Sequence, residues 1–306
     1  MTRDDEMRVS AVIPAFNAER FLRRTLDSVI AQEFDDLEIL VVDDGSSDRT
    51  RDVVASAGPR VKLVPGPARG VSAARNEGAR VCRGRYIAFL DHDDLWEPEK
   101  IRKQVRLLDG DPSAALVFTQ ARVERHGQLT ETFPIFSDAA TVMANAYENL
   151  VHWNFIPMSA VMVRREALLP FDPRYQLAED WDLWLRIASA SGPGSLRFIS
   201  EPLTRYRILG GRATERMADL RLEDIEIFER QIEANPWLER SDAGRCRATR
   251  HRLHEEAGYW LLQEGREPEA RRALRRAWRL RPASLKPLGY LMASLLPRFS
   301  AQQERA

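Results

Sequence analysis

An α/β fold with a mostly parallel sheet flanked by helices, followed by an all-helical C-terminal region, is what this sequence predicts. Three observations carry that expectation. Through the first hundred residues short β-branched runs alternate with helical stretches, the pattern of βαβ units. Three of the four runs end in a polar cluster of turn-forming residues. Past Thr214 every stretch has helical periodicity. The 306 residues, 44% of them hydrophobic, suffice for one large α/β domain and a smaller appendage.

Taken in order, strands are expected at residues 9–13, 38–42, 61–64 and 86–90, with helices at 18–32, 48–57 and 71–82 between them. Ser46 or Ser47 stands where the second helix would take its N-cap. Past residue 100 the pattern is mixed. Strands are expected at 114–118 and 159–163, helices at 141–151 and 179–190, and loops at 123–138 and 149–158. Residues 253–282 carry Ala257, Leu261, Leu262, Gly265, Ala270, Leu274 and Ala277 at a spacing similar to a single tetratricopeptide-like helical hairpin. The boundary falls near residues 211–214, giving an α/β domain over 1–212 and a helical region over 213–306.

Charge is balanced overall, 46 Lys/Arg against 46 Asp/Glu, but residues 242–306 hold 14 basic and 7 acidic side chains. A basic tail suits an anionic surface such as a membrane leaflet, and equally a solvated helix face. No nucleic-acid partner is indicated. Cys82 and Cys246 form no CxxC pair, so neither a disulfide framework nor a zinc knuckle is expected, which suits a reducing compartment. Residues 1–7 are polar and acidic, unlike a signal peptide, and the best apolar run, 288–296, falls short of the ~18 residues of a spanning helix. A cytoplasmic location is expected, with peripheral contact at the inner face of the cell membrane.

Parallel strands joined by helices place ligands beyond their carboxyl ends. Pro14, Ala15, Phe16 and Asn17 follow the first strand, Asp43 and Asp44 the second, and Asp91, His92, Asp93 and Asp94 the fourth. Asp91 and Asp93 on one short loop can hold a hard cation such as Mg²⁺ or Mn²⁺, which takes one or two carboxylates plus substrate phosphates. His92 lies between them as a ligand or, more simply, a packing residue. Asp43 and Asp44 can accept hydrogen bonds from a base or ribose, and Asp44 can alternatively cap the helix after Ser47. Arg69 and Arg75 flank a small-residue stretch that opens a helix, a combination that suits a pyrophosphate. Arg75 could also neutralise the aspartates. Glu179 and Asp180 begin an amphipathic helix. Displacement at an anomeric carbon needs a base, and Asp180 is the candidate, with Glu179 beside it. Trp184 reads as core and Trp181 as core or a sugar-stacking face.

Together these residues resemble a family 2 glycosyltransferase. The resemblance runs through residues 9–17, then Val41-Val42-Asp43-Asp44-Gly45-Ser46, Arg69-Gly70 and Ala73-Ala74-Arg75-Asn76. It continues in Gly84-Arg85-Tyr86, Phe89-Leu90-Asp91-His92-Asp93-Asp94 and Glu179-Asp180-Trp181-Asp182-Leu183-Trp184-Leu185, covering roughly residues 8–207. It implies a GT-A fold, a nucleotide-sugar donor, a divalent metal and inversion at the anomeric carbon. It also implies donor contacts from Pro14, Ala15, Asn17, Glu19, Asp43, Asp44, Arg69, Arg75, Asp91 and His92. Asp93 would then be the direct metal ligand, Asp91 a ribose or metal-water contact, and Asp180 the base. Leu209 stands where the family often has His, and the Gln-x-x-Arg-Trp motif of processive synthases is absent, so single-sugar transfer is expected.

UDP-sugar is the first expectation for the donor, with dTDP and GDP as alternatives, and a saccharide or lipid-linked saccharide of envelope polysaccharide assembly for the acceptor. Trp153, Phe155 and Phe136 are available to stack on a sugar. Arg271, Arg272, Arg275, Arg276 and Arg279 share one side of a helix and offer a peripheral membrane contact. Two other classes compete. A sugar nucleotidyltransferase would open with a Gly-rich phosphate loop that the first strand lacks, and a non-catalytic nucleotide-sugar-binding protein would bind without turnover.

Overall fold

The computed structural model describes residues 8–125, 127–134, 136, 138–192, 194–208 and 216–294. The chain divides into two compact units, Met1–Leu209 and Gly210–Ala306. The expected break at 211–214, residues 1–7 and Leu209 lie outside the described residues.

The first unit is a nine-stranded sheet. Strands β1 (Val9–Ala15), β2 (Leu37–Asp43), β3 (Val61–Pro65) and β4 (Tyr86–Phe89) lie in the order β3-β2-β1-β4, all parallel. Every residue of β1, β2 and β4 is buried, as continuous apolar runs covered on both faces should be. The polar exceptions are paired: Ser10 donates to Glu38 at 2.5 Å and accepts from Gly84 N–H at 2.7 Å. Helix α1 (Leu22–Ile30) buries Leu22, Thr25, Leu26 and Val29 on one face. It starts four residues later than periodicity suggests. Helix α2 (Thr50–Ser56) is capped by neither Ser46 nor Ser47; Asp48 Oδ1 accepts from Thr50 N–H at 3.0 Å instead. Helix α3 (Val71–Val81) presses so closely on β1 that a Cβ at Gly78 would run into Val12 and lie 3.1 Å from Val42 Cγ2.

The other half of the sheet is mixed. After the two-residue β5 (Leu95–Trp96) comes helix α4 (Lys100–Gly110), which the sequence reading did not identify. Its buried stripe includes Lys100 and Gln104 beside Ile101, Val105 and Leu108. The Lys100 ammonium is fully buried, 2.7 Å from Gln104 Oε1 and 4.3 Å from the centre of the Trp96 ring, and burial pushes its pKa well down. The span expected as a loop at 123–138 is largely a hairpin, β6 (Leu116–Arg125) and β7 (Gln128–Phe133), turning at Gly127 with φ 78°. The expected helix at 141–151 is two, α5 (Ala139–Ala144) and α6 (Ala146–His152), broken at Asn145. The first four residues of the other expected loop, 149–158, therefore belong to α6, and residues 153–157 are loop as expected. Strand β8 (Val161–Arg164) runs antiparallel to both β4 and β6, and β9 (Leu196–Ile208) follows α7 (Glu179–Ser191) to lie parallel to β6. The parallel half thus keeps the expected winding, and the added strands complete the order β4-β8-β6-β9-β5.

The described part of the second unit is helical: α8 (Met217–Ala234), α9 (Pro236–Ser241), α10 (Ala243–Gln263), α11 (Glu267–Leu280) and α12 (Leu285–Ala293). Ala218, Ala257, Leu261, Leu262, Ala270, Ala273 and Leu274 form its core. Helices α10 and α11 form a hairpin so close that a Cβ on Gly258 would lie 2.5 Å from Leu274 Cγ. Among the described residues no helix is long and apolar enough to cross a membrane.

Candidate active site

The register of the parallel strands brings the three polar clusters to one edge. Ala15 pairs with Asp43, Asp44 N–H donates to Ala15 C=O at 2.8 Å, and Leu90 N–H to Val12 C=O at 3.1 Å. Behind the first loop, Pro14 and Ala15 are buried. Asn17, at a left-handed φ of 50°, accepts from Ser47 N–H at 2.9 Å, and its own N–H donates to Ser46 Oγ at 2.9 Å. Glu19 accepts from Arg49 N–H at 3.0 Å. Asn17 and Glu19 therefore tie the loop after β1 to the loop after β2.

Asp43 and Asp44 are buried and divide the work. Asp43 accepts from Ser46 N–H at 3.1 Å and Arg51 Nε at 2.6 Å. Burial alone would raise its pKa, but the hydrogen bonds from Ser46 and Arg51 outweigh it and hold the carboxyl below the usual range. Asp44 accepts from Gly70 N–H at 2.7 Å and Arg69 N–H at 3.3 Å, so it fastens the entry to α3 and does not cap α2. The Arg69 side chain is exposed.

Arg75 on α3 is 3% exposed and joins the two remaining clusters. One arm meets Asp91 Oδ1 at 2.6 Å, the other pairs with Glu179, and the guanidinium lies 5.5 Å from the centre of the Phe171 ring. In this geometry Arg75 neutralises two carboxylates at once. Burial works against the cation, but Asp91 and Glu179 hold it firmly charged.

The acidic loop is pinned from several sides. Thr25 Oγ1 donates to His92 C=O at 2.8 Å and to Asp94 C=O at 2.9 Å, and Asp91 N–H donates to Ser159 Oγ at 3.1 Å. Arg207 N–H donates to Asp94 Oδ1 at 2.8 Å and its side chain to Asp93 C=O. Burial, then repulsion from neighbouring carboxylates, pushes Asp93 and Asp94 up, while His92 and Arg207 oppose this at Asp93. Asp94 Oδ2 is buried without a hydrogen-bond partner among the described residues. Such crowded carboxylates fit a divalent cation. Among the described residues no three His, Cys, Asp or Glu side chains form a ready-made cage, but one or two carboxylates suffice when phosphates complete the shell.

Asp180 opens α7 half-buried, accepting from Asn154 Nδ2 at 3.1 Å and Trp181 N–H at 2.6 Å. Burial and then the adjacent Glu179 push it up to about 8, with Arg75 opposing. Glu179 pairs with Arg75 through Oε1 and leaves Oε2 buried and unpartnered among the described residues. Trp181 and Trp184 are both core, their indole N–H groups donating to Leu150 C=O at 2.7 Å and Ile156 C=O at 3.3 Å. Phe155 is fully buried. Trp153 is 43% exposed, edge-on to Phe133 and Phe136 at 5.9 and 6.4 Å between ring centres.

Sequence reasoning missed Thr25, Asn154, Ser159, Arg207 and Tyr206. Tyr206 is half-open on β9, its phenol pushed up by burial and by Asp94, Asp91 and Asp93. In the sequence both Tyr206 and Arg207 lie within three residues of Leu209, the position where the family often has His.

Acidic loops at the carboxyl edge of a half-parallel, half-mixed sheet define a chain of the GT-A type. Residues 10–168 match the model of glycosyl transferase family 2, and the chain belongs to that family. An uncharacterized glycosyltransferase of Nostoc sp. is 30% identical over 219 residues, 67% of this chain and 66% of the relative's own length. The Escherichia coli UDP-Glc:α-D-GlcNAc-diphosphoundecaprenol β-1,3-glucosyltransferase WfgD is 30% identical over 185 residues, 60% of this chain and 70% of that protein. The fold matches the mannosyltransferase PcManGT from Pyrobaculum calidifontis, solved with GDP-Man and Mn²⁺, at a TM-score of 0.61 and 20% identity, covering 96% of this chain and 82% of that one.

Proposed function

We infer that this transferase moves a single sugar, with inversion, from a nucleoside-diphosphate sugar to an acceptor hydroxyl. The carrying observation is Asp180, a carboxylate with its pKa raised towards neutrality, set beside the Arg75 bridge between Glu179 and Asp91. A base of that strength takes the proton of the attacking hydroxyl without being solvated away. Asn154 holds the Asp180 carboxyl in orientation, and Arg75 ties Glu179, its chain neighbour, to Asp91. Asp43 and Asp44 border the nucleoside pocket with Pro14, Ala15, Asn17 and Glu19, the exposed Arg69 faces the phosphates, and His92 with Asp91 lines the ribose side.

Asp93, with Asp91, would hold a divalent cation, which when bound offsets the charge growing on the diphosphate leaving group. Mn²⁺ in PcManGT supports this reading. The name of WfgD supports a UDP-sugar donor and a lipid-linked saccharide acceptor, and hence envelope polysaccharide or glycolipid assembly. The exposed Trp153 is the aromatic face for that acceptor. Catalysis belongs to residues 1–212, with 213–306 a helical extension.

Calorimetric titration of UDP, GDP and dTDP with Mn²⁺ or EDTA tests the donor site. Binding of one nucleotide only with metal, lost in Asp93→Ala, is expected. No binding of any in folded protein would refute it. Proton NMR of the product's anomeric coupling distinguishes inversion from retention.

A further inference from the structure

Helix α11 carries four arginines that form no ion pair among the described residues, the charge of Arg272 being felt only at Glu269 one turn before it. Arg272, Arg275, Arg276 and Arg279 recur at i, i+3, i+4 and i+7, so they share one face, and all four are exposed. The opposite face, Ala270, Ala273, Leu274 and Ala277, is buried. Among the described residues none of the four makes an ion pair, whereas Arg266 meets Asp219 at 2.6 Å and Arg271 meets Glu267 at 2.9 Å. With Leu280 the four line a groove of about 590 Å³.

The helix packed against α11 adds a second, independent feature. On α12, Leu285, Leu288 and Met292 recur at i, i+3 and i+7 and stand 74%, 37% and 64% exposed, with Lys286 exposed beside them. Trp278 on α11 is 39% exposed. An apolar stripe left open to water costs free energy unless something covers it. A soluble polyanion would satisfy the arginines but leave the stripe wet. A leaflet rich in anionic phospholipid satisfies both, with phosphates on the guanidinium groups, aliphatic side chains among the acyl chains and Trp at the boundary.

We propose that α11 and α12 form a docking surface for an anionic membrane leaflet, with Arg272, Arg275, Arg276 and Arg279 on the lipid phosphates and Leu285, Leu288 and Met292 inserted. Nothing in this surface depends on the sugar-transfer chemistry. The full chain is sedimented with phosphatidylcholine vesicles and with vesicles containing about 30% phosphatidylglycerol. Partition onto the anionic vesicles is expected to be at least about tenfold stronger and to weaken with added salt. The variant with Arg272, Arg275, Arg276 and Arg279 all changed to Ser is expected to lose the preference, and Leu288→Ser/Met292→Ser to bind at least about tenfold more weakly. Both change exposed residues, and thermal melts check that both fold. Equal binding to the two vesicle types, or unchanged binding by either variant, overturns the proposal. Binding to heparin or duplex DNA without vesicle preference also overturns it, in favour of a soluble polyanion.

Discussion

Asp180 carries opposite consequences for turnover and for stability. With its pKa near 8 it is largely protonated at neutral pH, so the rate should climb as pH rises through about 8. For stability the sign reverses. A carboxyl raised above its unfolded value contributes fully below that value, near 4, and the contribution fades as pH rises towards 8. Asp180→Asn should therefore cut kcat by roughly 10²–10⁴-fold while leaving nucleotide affinity intact. Above pH 8 the same variant should melt higher than the wild type. A pH–rate profile and paired thermal melts check both halves. An unchanged rate would remove Asp180 from the chemistry. The polar residues around it show what a linear reading can find. Asp91 and Asp93 were legible because they follow an apolar strand, and Asp180 because it opens an amphipathic helix. Arg207, Asn154 and Ser159 were not, because their importance lies in partners across the sheet from 26 to 113 positions away.

At the scale of elements, legibility followed burial. Strands β1, β2 and β4 are covered on both faces and so spell continuous apolar runs. β9 does not: along Leu196–Ile208 buried, half-buried and exposed positions follow no period of two, and Glu201 and Pro202 argue against a strand when only local sequence is read. Its pairing with β6 is a tertiary fact, as is the burial of Lys100 and Gln104 that disguised α4. Where elements meet closely, a single methyl should be felt. Gly78→Ala puts a Cβ into Val12 at the α3–β1 contact and should cost about 1–3 kcal/mol. Urea unfolding measures it, and a loss below about 0.5 kcal/mol would mean that α3 can retreat freely.

Among the described residues one hydrophobic cluster packs against the sheet and a separate one lies within the helices of the second unit. Leu274, fully buried among Ala257, Leu261 and Ala270, belongs only to the second. Leu274→Ala should cost about 2–5 kcal/mol, seen as faster hydrogen exchange in α10 and α11, while nucleotide affinity at the sheet edge stays as in wild type. Weakened nucleotide binding in that variant would show that the helical unit supports the site.

The buried ammonium of Lys100 gives the protein an internal reporter. Only four lysines occur, and of these Lys62 and Lys286 are exposed whereas Lys100 is sealed under Trp96 and Gln104. An acylating reagent should mark Lys62 and Lys286 within minutes and reach Lys100 only when the α4 end of the sheet opens. Mass spectrometry of the acylated chain over time thus times the breathing of the scaffold behind the acidic loop, and nucleotide that tightens that loop should slow the Lys100 signal alone.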